Sequence, residues 1–520
     1  MVTGHSYWIN NYNDNIIIAT TTAANTTTTT TTTTMTITIT TNTISATTII
    51  TMTTTTAITI TIINCPYIIT IITSKMLNLL CFKILYLILF CIDFPQTATE
   101  NAFCDEKDQY EEADKRCNVQ SHYSRNRYIL YDVNSPEGFN LRRDVYIRVA
   151  VFIKNLVKQD KEFKWKLVLP PWGNLYHWRT KQIGPQTQLP WSLFFDIPSL
   201  QKYIPVIEMH QFIQEYPSEE KQTQLDVIYV LQNDEDMFRT GKFEDKNEVI
   251  ECTDESLTYN KPESNRYNRY FWGYSNVTFG NVKCVKFHGM ISDLRRNLMP
   301  TVYRSVMFDH MEIALHDSYG SHEYWRARCS MRYNPELYSI ANEYRKHFLN
   351  STDKDDNTEI SNDWTKKKNK RDALGGPYLA VHLRRRDFLV GRSSTVPTIE
   401  SAASQVKKTM DHFGLKLLFV ATDTTEEEFN NLKDYLFEYT VLRFIPSNSV
   451  LNKFKDGGVA IIDQIICSYA RYFLGTYEST FTFRIQEDRE IIGFPTETTF
   501  NVLCKDTKKC GSNGQWEIVW

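Results

Sequence analysis

Tyr128-Ile-Leu-Tyr-Asp-Val133, then Asn134-Ser-Pro-Glu-Gly-Phe-Asn140, the run Leu141 to Val157, and Trp165-Lys-Leu-Val-Leu169 decide the fold of this chain. The outer two runs are short, rich in apolar strand formers and bounded by turn residues, which predicts strands. Between them apolar residues recur at helical spacing. Strand, helix and strand in succession make a βαβ unit, whose two strands lie parallel with the helix on one face. Working outward, Asp226–Leu231 reads as a further strand, and Arg304 to Phe348 reads mostly as amphipathic helix. A charged, weakly apolar segment, Ser351 to Asp372, separates this half from the next. The second half repeats the alternation. It offers strand Tyr378–Leu383, a helix around Ser401–His412, strand Leu417–Thr422 ending at Asp423, a helix from Thr425 and strand Thr440–Phe444. The turn Asp456-Gly457-Gly458, a helix Val459–Tyr469, strand Tyr472–Thr476 and a last helix complete it. The expected fold class is α/β, with one Rossmann-like domain over residues 123–372 and a second over 373–520.

With 520 residues, a net charge of −3 and 13% aromatics, the chain can bury more than one core and lacks the basic stripe of a phosphate-backbone binder. Nucleic acid is not an expected partner. Residues 1–75 stand apart as a Thr/Ile-rich leader, with Thr unbroken from Thr26 to Thr34. Such a low-complexity tract lacks mixed packing shapes and turn punctuation, so it is expected to be disordered or to lie outside the native product. Residues 76–99 begin at Met76, carry an apolar run to Asp93 and reach small residues at Thr97-Ala98-Thr99. That is the pattern of a secretory signal peptide or, if the 76–93 run is retained, of a membrane anchor. In either case the remainder of the chain is expected to face the secretory lumen. Spacing permits Cys104–Cys117, Cys252–Cys284 and Cys504–Cys510 as disulfides, with Cys329 and Cys467 as buried thiols. Sequons at Asn276 and Asn350 suit a glycosylated lumenal protein.

Three cassettes would stand at the carboxyl ends of strands, where open α/β sheets bind ligands. Pro136-Glu137-Gly138-Phe139-Asn140 succeeds the first strand, His382-Leu383-Arg384-Arg385-Arg386-Asp387 closes the first strand of the second half, and Ser479-Thr480-Phe481 opens the last helix. Gly138 permits a tight turn and close backbone approach, and the amides of Gly138, Phe139 and Asn140 would offer free donors to anionic oxygens. Glu137 beside them can accept a proton or act as an ordinary helix N-terminal carboxylate. Arg384 has the planar fork that holds two phosphate oxygens. Alternation turns Arg384 and Arg385 to opposite sides, so one is expected on ligand and the others on carboxylates such as Asp387. His382 by itself reads as a hydrogen-bonded structural histidine. Ser479 and Thr480 suit a helix cap and an anion site alike, because both use the same exposed amides. Together the cassettes look like one nucleotide-sugar site, with a base for an acceptor and positive potential for a leaving diphosphate. Two Rossmann-like domains facing across a cleft make the GT-B architecture.

Longer ordered matches then become visible. Leu130-Tyr-Asp-Val-Asn134, Pro136 through Tyr146, Leu167-Val-Leu-Pro-Pro-Trp-Gly173, Leu175-Tyr-His-Trp178, Val381-His-Leu-Arg-Arg385, Asp456-Gly-Gly-Val-Ala-Ile-Ile-Asp-Gln464 and the Ser479 cassette carry a resemblance running from about Arg127 to Trp520. On these residues the chain resembles the GDP-fucose protein O-fucosyltransferases, and among them the branch acting on thrombospondin type 1 repeats in the endoplasmic reticulum lumen. The resemblance implies Glu137 as catalytic base, Arg384 on the diphosphate of GDP-fucose and Asp463 on the guanosine. Pro136, Gly138, Phe139, Asn140, His382, Leu383, Ser479, Thr480 and Phe481 would complete the donor site. Asp463 lies on an otherwise apolar helix, and a buried carboxylate needs donors such as guanine N–H groups. The implied reaction is inverting transfer of fucose from GDP-β-L-fucose to Ser or Thr hydroxyls of folded thrombospondin repeats, with no cofactor and no metal.

Two other readings belong beside it: transfer to epidermal growth factor-like repeats or glycans, and a lumenal protein that binds GDP-fucose or fucose without turnover. Trp172, Tyr176, His177 and Trp178 are candidates for an acceptor wall or for core packing. Asp234-Glu235-Asp236 has the form of a metal-binding DxD, but it lies far in sequence from the phosphate cassettes, so no metal is assigned to it.

Overall fold

The computed structural model describes the strands between residues 4 and 73 and residues 125–216, 222–253, 267–268, 271–298, 302–366, 370–505 and 514–520. The chain divides into two compact units, Met1–Glu111 and Glu112–Trp520. In the first, strands Gly4–Asn11, Asn15–Ala24, Thr32–Thr40, Ser45–Thr53, Ala57–Ile63 and Ile71–Thr73 pair antiparallel in chain order. The leader expected to be disordered thus carries strands; β-branched Thr and Ile suit that conformation. The 76–99 segment, Cys104 and Cys117 lie outside the described residues. Among the described residues no helix is long and apolar enough to cross a membrane.

The second unit opens with the expected βαβ element: β1 (Asn126–Tyr131), α1 (Phe139–Gln159) and β2 (Lys164–Leu169). Then come α2 (Ile197–Gln201), β3 (Val206–Glu208), α3 (Met209–Glu215), β4 (Thr223–Gln232), α4 (Glu235–Thr240), β5 (Lys246–Ile250), β6 (Tyr267–Asn268), β7 (Val277–His288) and β8 (Ser305–Asp309). They form one sheet in the order β5-β7-β4-β8-β1-β2-β3, with β6 against β7. β5 and β6 run antiparallel to β7, and the remaining neighbours are parallel. The helix expected across Arg304 to Phe348 is therefore corrected. Ser305–Asp309 is the strand β8 between β4 and β1, and the helices are α5 (His322–Ser330) and α6 (Pro335–Phe348). Every residue of β8 is buried, and a parallel strand covered on both faces loses the alternation that marks a half-exposed one.

The second sheet collects β9 (Gly376–Leu383), α7 (Arg386–Gly391), α8 (Ile399–Phe413), β10 (Leu417–Thr422), α9 (Glu426–Tyr435), β11 (Thr440–Leu442), α10 (Asn448–Ser468), β12 (Ala470–Thr476), α11 (Thr480–Ile492) and β13 (Asn501–Leu503). Its order is β11-β10-β9-β12-β13, all parallel. The winding reverses between β9 and β12, so the crevice beyond their carboxyl ends is a topological switch point. In the first sheet the same reversal falls between β1 and β8. Both sheets are thus wound as the α/β, GT-B reading requires.

One hydrophobic core runs through both halves, joining Ile129, Val145 and Phe308 to Ile461, Ile465 and Phe473. Helix α10 makes part of that junction. A Cβ on Gly457 would stand 2.7 Å from Trp178 and 2.8 Å from Phe194, so only glycine admits the approach. Asp456, Gly457 and Gly458, expected as a turn, lie inside α10 instead, just past a kink at Lys455, whose φ is 57°. The charged segment after Ser351 is anchored too. Its Trp364 is buried and donates through Nε1 to the Ser199 carbonyl at 3.2 Å. Cys252 and Cys284 form the expected disulfide, joining the end of β5 to β7. Cys329 and Cys467 are free and buried. Cys504 is disulfide-bonded, while Cys510 lies outside the described residues. Asn350 is exposed and Asn276 half-buried.

Candidate active site

The loop after β1 is fastened from within. The Glu137 amide donates to the Asn134 carbonyl at 3.0 Å. Arg142, one turn into α1, donates to the carbonyls of Glu137, Val133 and Asn134 at 3.0, 3.0 and 2.9 Å. Beyond β8, Glu312 accepts from the Asn134 amide at 3.0 Å and meets His310 at 3.1 Å. Partial burial, and then the Glu312 carboxylate, hold Glu137 above the usual carboxylate pKa, while Arg142 opposes them. Pro136 is exposed at the turn. Gly138 caps α1 without a side-chain bond, and the first turn carries no acidic residue, which leaves its amides to an outside anion. Phe139 is core, with Trp172 at 4.8 Å and Phe194 at 5.6 Å between ring centres. Asn140 faces the second half and accepts from Gln464 of α10 at 2.9 Å.

At the end of β9, Leu383 is buried in the core, and its carbonyl accepts from Thr422 at 2.6 Å. Arg384 pairs with both Asp387 and Asp423. Arg385 turns away to Glu428 at 2.7 Å and the Pro397 carbonyl at 2.7 Å. The alternation holds, but the assignment of Asp387 does not: the arginine it holds is Arg384 itself, because Asp387 lies three residues on, in the first turn of α7. His382 is buried, bonded to Thr482 at 2.8 Å and stacked on Phe481 with ring centres 4.3 Å apart. Burial, then the Arg384 charge, lower its pKa to about 3. Ser479 is buried at the N-cap of α11, yet its side chain makes no cap bond. Thr482 instead ties the turn back by accepting from the Thr476 amide at 2.9 Å. The amides of Thr480 and Phe481 thus open α11 beside the end of β9.

Asp463 retains some solvent access, but its Oδ1 is buried and has no hydrogen-bond partner among the described residues. Burial raises its pKa to about 8, and Arg443 counters only part of that. A carboxylate so placed is suited to a ligand with paired N–H donors.

The two halves of the site meet at His177. Its Nδ1 lies 3.3 Å from an Arg384 N–H nitrogen, and a Cβ on Gly138 would stand 3.4 Å from its Cδ2. The aromatic run, read as an acceptor wall or as core packing, therefore divides. Trp172 is core and Trp178 packs on it, Tyr176 is exposed, and His177 faces the Arg384 cluster. Asp423 and Glu312 were missed as neighbours of the site. Both stand just past the carboxyl ends of strands, the rule that located the other cassettes, but the strand β8 before Glu312 was itself hidden. The DxD residues sit elsewhere. Asp234 is taken by Lys246 and the Asp236 amide, and Asp236 by Arg239 at 2.8 Å. Among the described residues no cluster of three or more His, Cys, Asp or Glu side chains could hold a metal.

A family model described as GDP-fucose protein O-fucosyltransferase matches residues 128–492. The chain is 47% identical over 400 residues to GDP-fucose protein O-fucosyltransferase 2 of Pan troglodytes, covering 76% of this chain and 91% of that protein. The protein of that name from Caenorhabditis elegans is 42% identical over 400 residues, covering 76% and 90%. Among solved structures, POFUT1 in complex with GDP-fucose is similar at 16% identity and a TM-score of 0.46, over 73% of this chain and 99% of that one. The family match takes in strands β1 to β12 and every cassette, and the relatives are matched over nine-tenths of their length. The chain is a glycosyltransferase of the GDP-fucose protein O-fucosyltransferase family.

Proposed function

We propose that the protein transfers fucose, with inversion, from GDP-β-L-fucose to Ser or Thr hydroxyls of folded thrombospondin type 1 repeats in the endoplasmic reticulum lumen, without a metal. The observation that carries this reading is the reach of His177 to both Gly138 and Arg384, which sets the Glu137 loop and the arginine cassette around one crevice. Glu137 takes the acceptor's proton as the hydroxyl oxygen attacks the anomeric carbon. The bond from that carbon to the diphosphate breaks, and its electron pair leaves with GDP. The raised pKa of Glu137 suits it to this, since a stronger base takes a hydroxyl proton more readily.

Arg384 stabilises the leaving diphosphate. Donor binding exchanges its bonds to Asp387 and Asp423 for bonds to phosphate oxygens, joined by amides that open α1 and α11. Asp463 receives the guanine N–H groups through the Oδ1 that lacks a partner among the described residues. Neutral His382, packed on Phe481, supports the start of α11. The resemblance to the thrombospondin-repeat branch supports the acceptor class.

The experiment is transfer of labelled fucose from GDP-fucose to a folded thrombospondin repeat and to a folded epidermal growth factor-like repeat, each with and without excess EDTA. Transfer to the first alone, unchanged by chelation, is expected. Preference for the second overturns the acceptor, hydrolysis or binding without transfer overturns the activity, and loss in EDTA restored by Mn²⁺ overturns metal independence.

A further inference from the structure

His177 lies on the loop after β2, with its ring edge-on to Tyr176 at 4.9 Å between centres, and the Tyr176 ring is in turn covered by Arg179 at 4.6 Å. Its Nδ1 faces Arg384 at 3.3 Å. A guanidinium offers N–H donors and no acceptor, so Nδ1 must present its lone pair. In a neutral ring that choice puts the proton on Nε2. Partial burial, then the charge of Arg384, keep the ring neutral by lowering its pKa. The Nε2 edge lies over the start of α1, where a Cβ on Gly138 would stand 3.5 Å from it. Among the described residues no acceptor takes that proton, and the helix start beside it carries no side-chain cap and no acidic residue.

We propose that His177 belongs to the donor site: Nδ1 orients Arg384, and Nε2–H donates to a phosphate oxygen of the nucleotide held over Gly138. This rests on the donor-site reading above and adds to it a side-chain donor on the first-half wall. An imidazole is suited to the place because it binds from both ends. It accepts from the arginine that holds one side of the diphosphate and donates to the other side, with no charge of its own to repel Arg384.

The test is GDP affinity by calorimetry for His177→Phe, His177→Gln and His177→Asn, each with its melting curve, and the KM and kcat of fucose transfer. His177 stands on a surface loop outside the hydrophobic core, so all three variants should melt cooperatively. His177→Phe should weaken GDP binding about tenfold, the worth of one hydrogen bond to a charged oxygen, and raise KM for GDP-fucose more than it lowers kcat. His177→Gln can set a carboxamide N–H where Nε2–H was and should recover most of the loss. His177→Asn keeps only an acceptor near Nδ1 and should not. GDP binding by His177→Phe equal to that of the unaltered protein, or recovery by Asn but not Gln, would overturn the proposal. Absence of GDP binding in the unaltered protein would instead overturn the donor-site reading on which it rests.

Discussion

Arg328 and Arg384 are each held by two carboxylates, and the two clusters differ in their access to solvent. Arg328 bonds Glu487 and Asp488, both at 2.5 Å, and its side chain is 1% exposed. Around it Arg484 reaches Glu487 at 2.8 Å, and Tyr333 donates to Asp488 at 2.8 Å and accepts from Arg143 at 2.8 Å. These side chains come from α1, α5, the loop after α5 and α11, so the cluster joins the two halves of the protein around buried charge. Arg384 has Asp387 and Asp423, but its side chain is 15% exposed and Asp387 is 38% exposed. An arginine in a sealed site has no other partner to take. One at the mouth of a crevice can exchange carboxylates for phosphates at small cost, because water compensates the carboxylates it leaves. The composition of an ion cluster therefore says little; its access to solvent decides whether it serves as a seam or a binding site.

The largest effect expected from the open side is at Glu137. Glu137→Ala should lower turnover on the order of 10²–10⁴-fold while leaving GDP affinity nearly intact, as calorimetry and transfer kinetics would measure. If Glu137 is the base, its working form is the ionised carboxylate, and with its pKa raised turnover should fall as pH drops through a value above the usual carboxylate range. Loss of GDP binding in a cooperatively melting variant would move Glu137 from base to donor pocket.

On the sealed side, Arg328→Met should leave Asp488 without an arginine and Glu487 with Arg484 alone, and lower stability by about 3–5 kcal/mol in chemical denaturation. A loss below about 1 kcal/mol would break the contrast between the two clusters. Arg384→Ala should do the reverse, changing stability little while weakening GDP binding roughly tenfold to a hundredfold and lowering turnover as well. Arg384→Lys should recover only part, since an ammonium keeps the charge and loses the two-pronged geometry.

The smallest effect sharpens the comparison at a half-buried group without an ion-pair partner at hydrogen-bond distance among the described residues. Asp463 has a folded pKa of about 8, raised above its unfolded value. The folded protein therefore holds a proton that the unfolded chain has released, and the stability this gives declines as pH rises from about 4 toward 8. Asp463→Asn should flatten that decline in thermal melts of the donor-free protein and weaken GDP binding. If guanine binds the ionised form, GDP affinity of the unaltered protein should rise with pH toward 8. An affinity flat in pH would place guanine elsewhere.

The cassettes were legible because each sits at a boundary between strand and helix, where periodicity changes and Gly, Pro or hydroxyl residues gather. Glu137, Arg384 and Ser479 are all of this kind. Less was legible where burial erases pattern. β8 is buried on both faces and was read as helix, so Glu312 behind it had no strand end to mark it. The glycines of α10 were read as a turn, although they let the helix approach Trp178 and Phe194.

Local periodicity and the chain's turn residues were enough to establish the alternation of strands and helices and to place the cassettes at strand ends. The packed fold alone settles that Arg385 turns to Glu428 and the Pro397 carbonyl, that Trp172 is core, and that His177 turns to an arginine 207 residues away. Those choices depend on which surfaces other parts of the chain cover. A side chain's burial and partners are set by elements distant in sequence, and no local period encodes them.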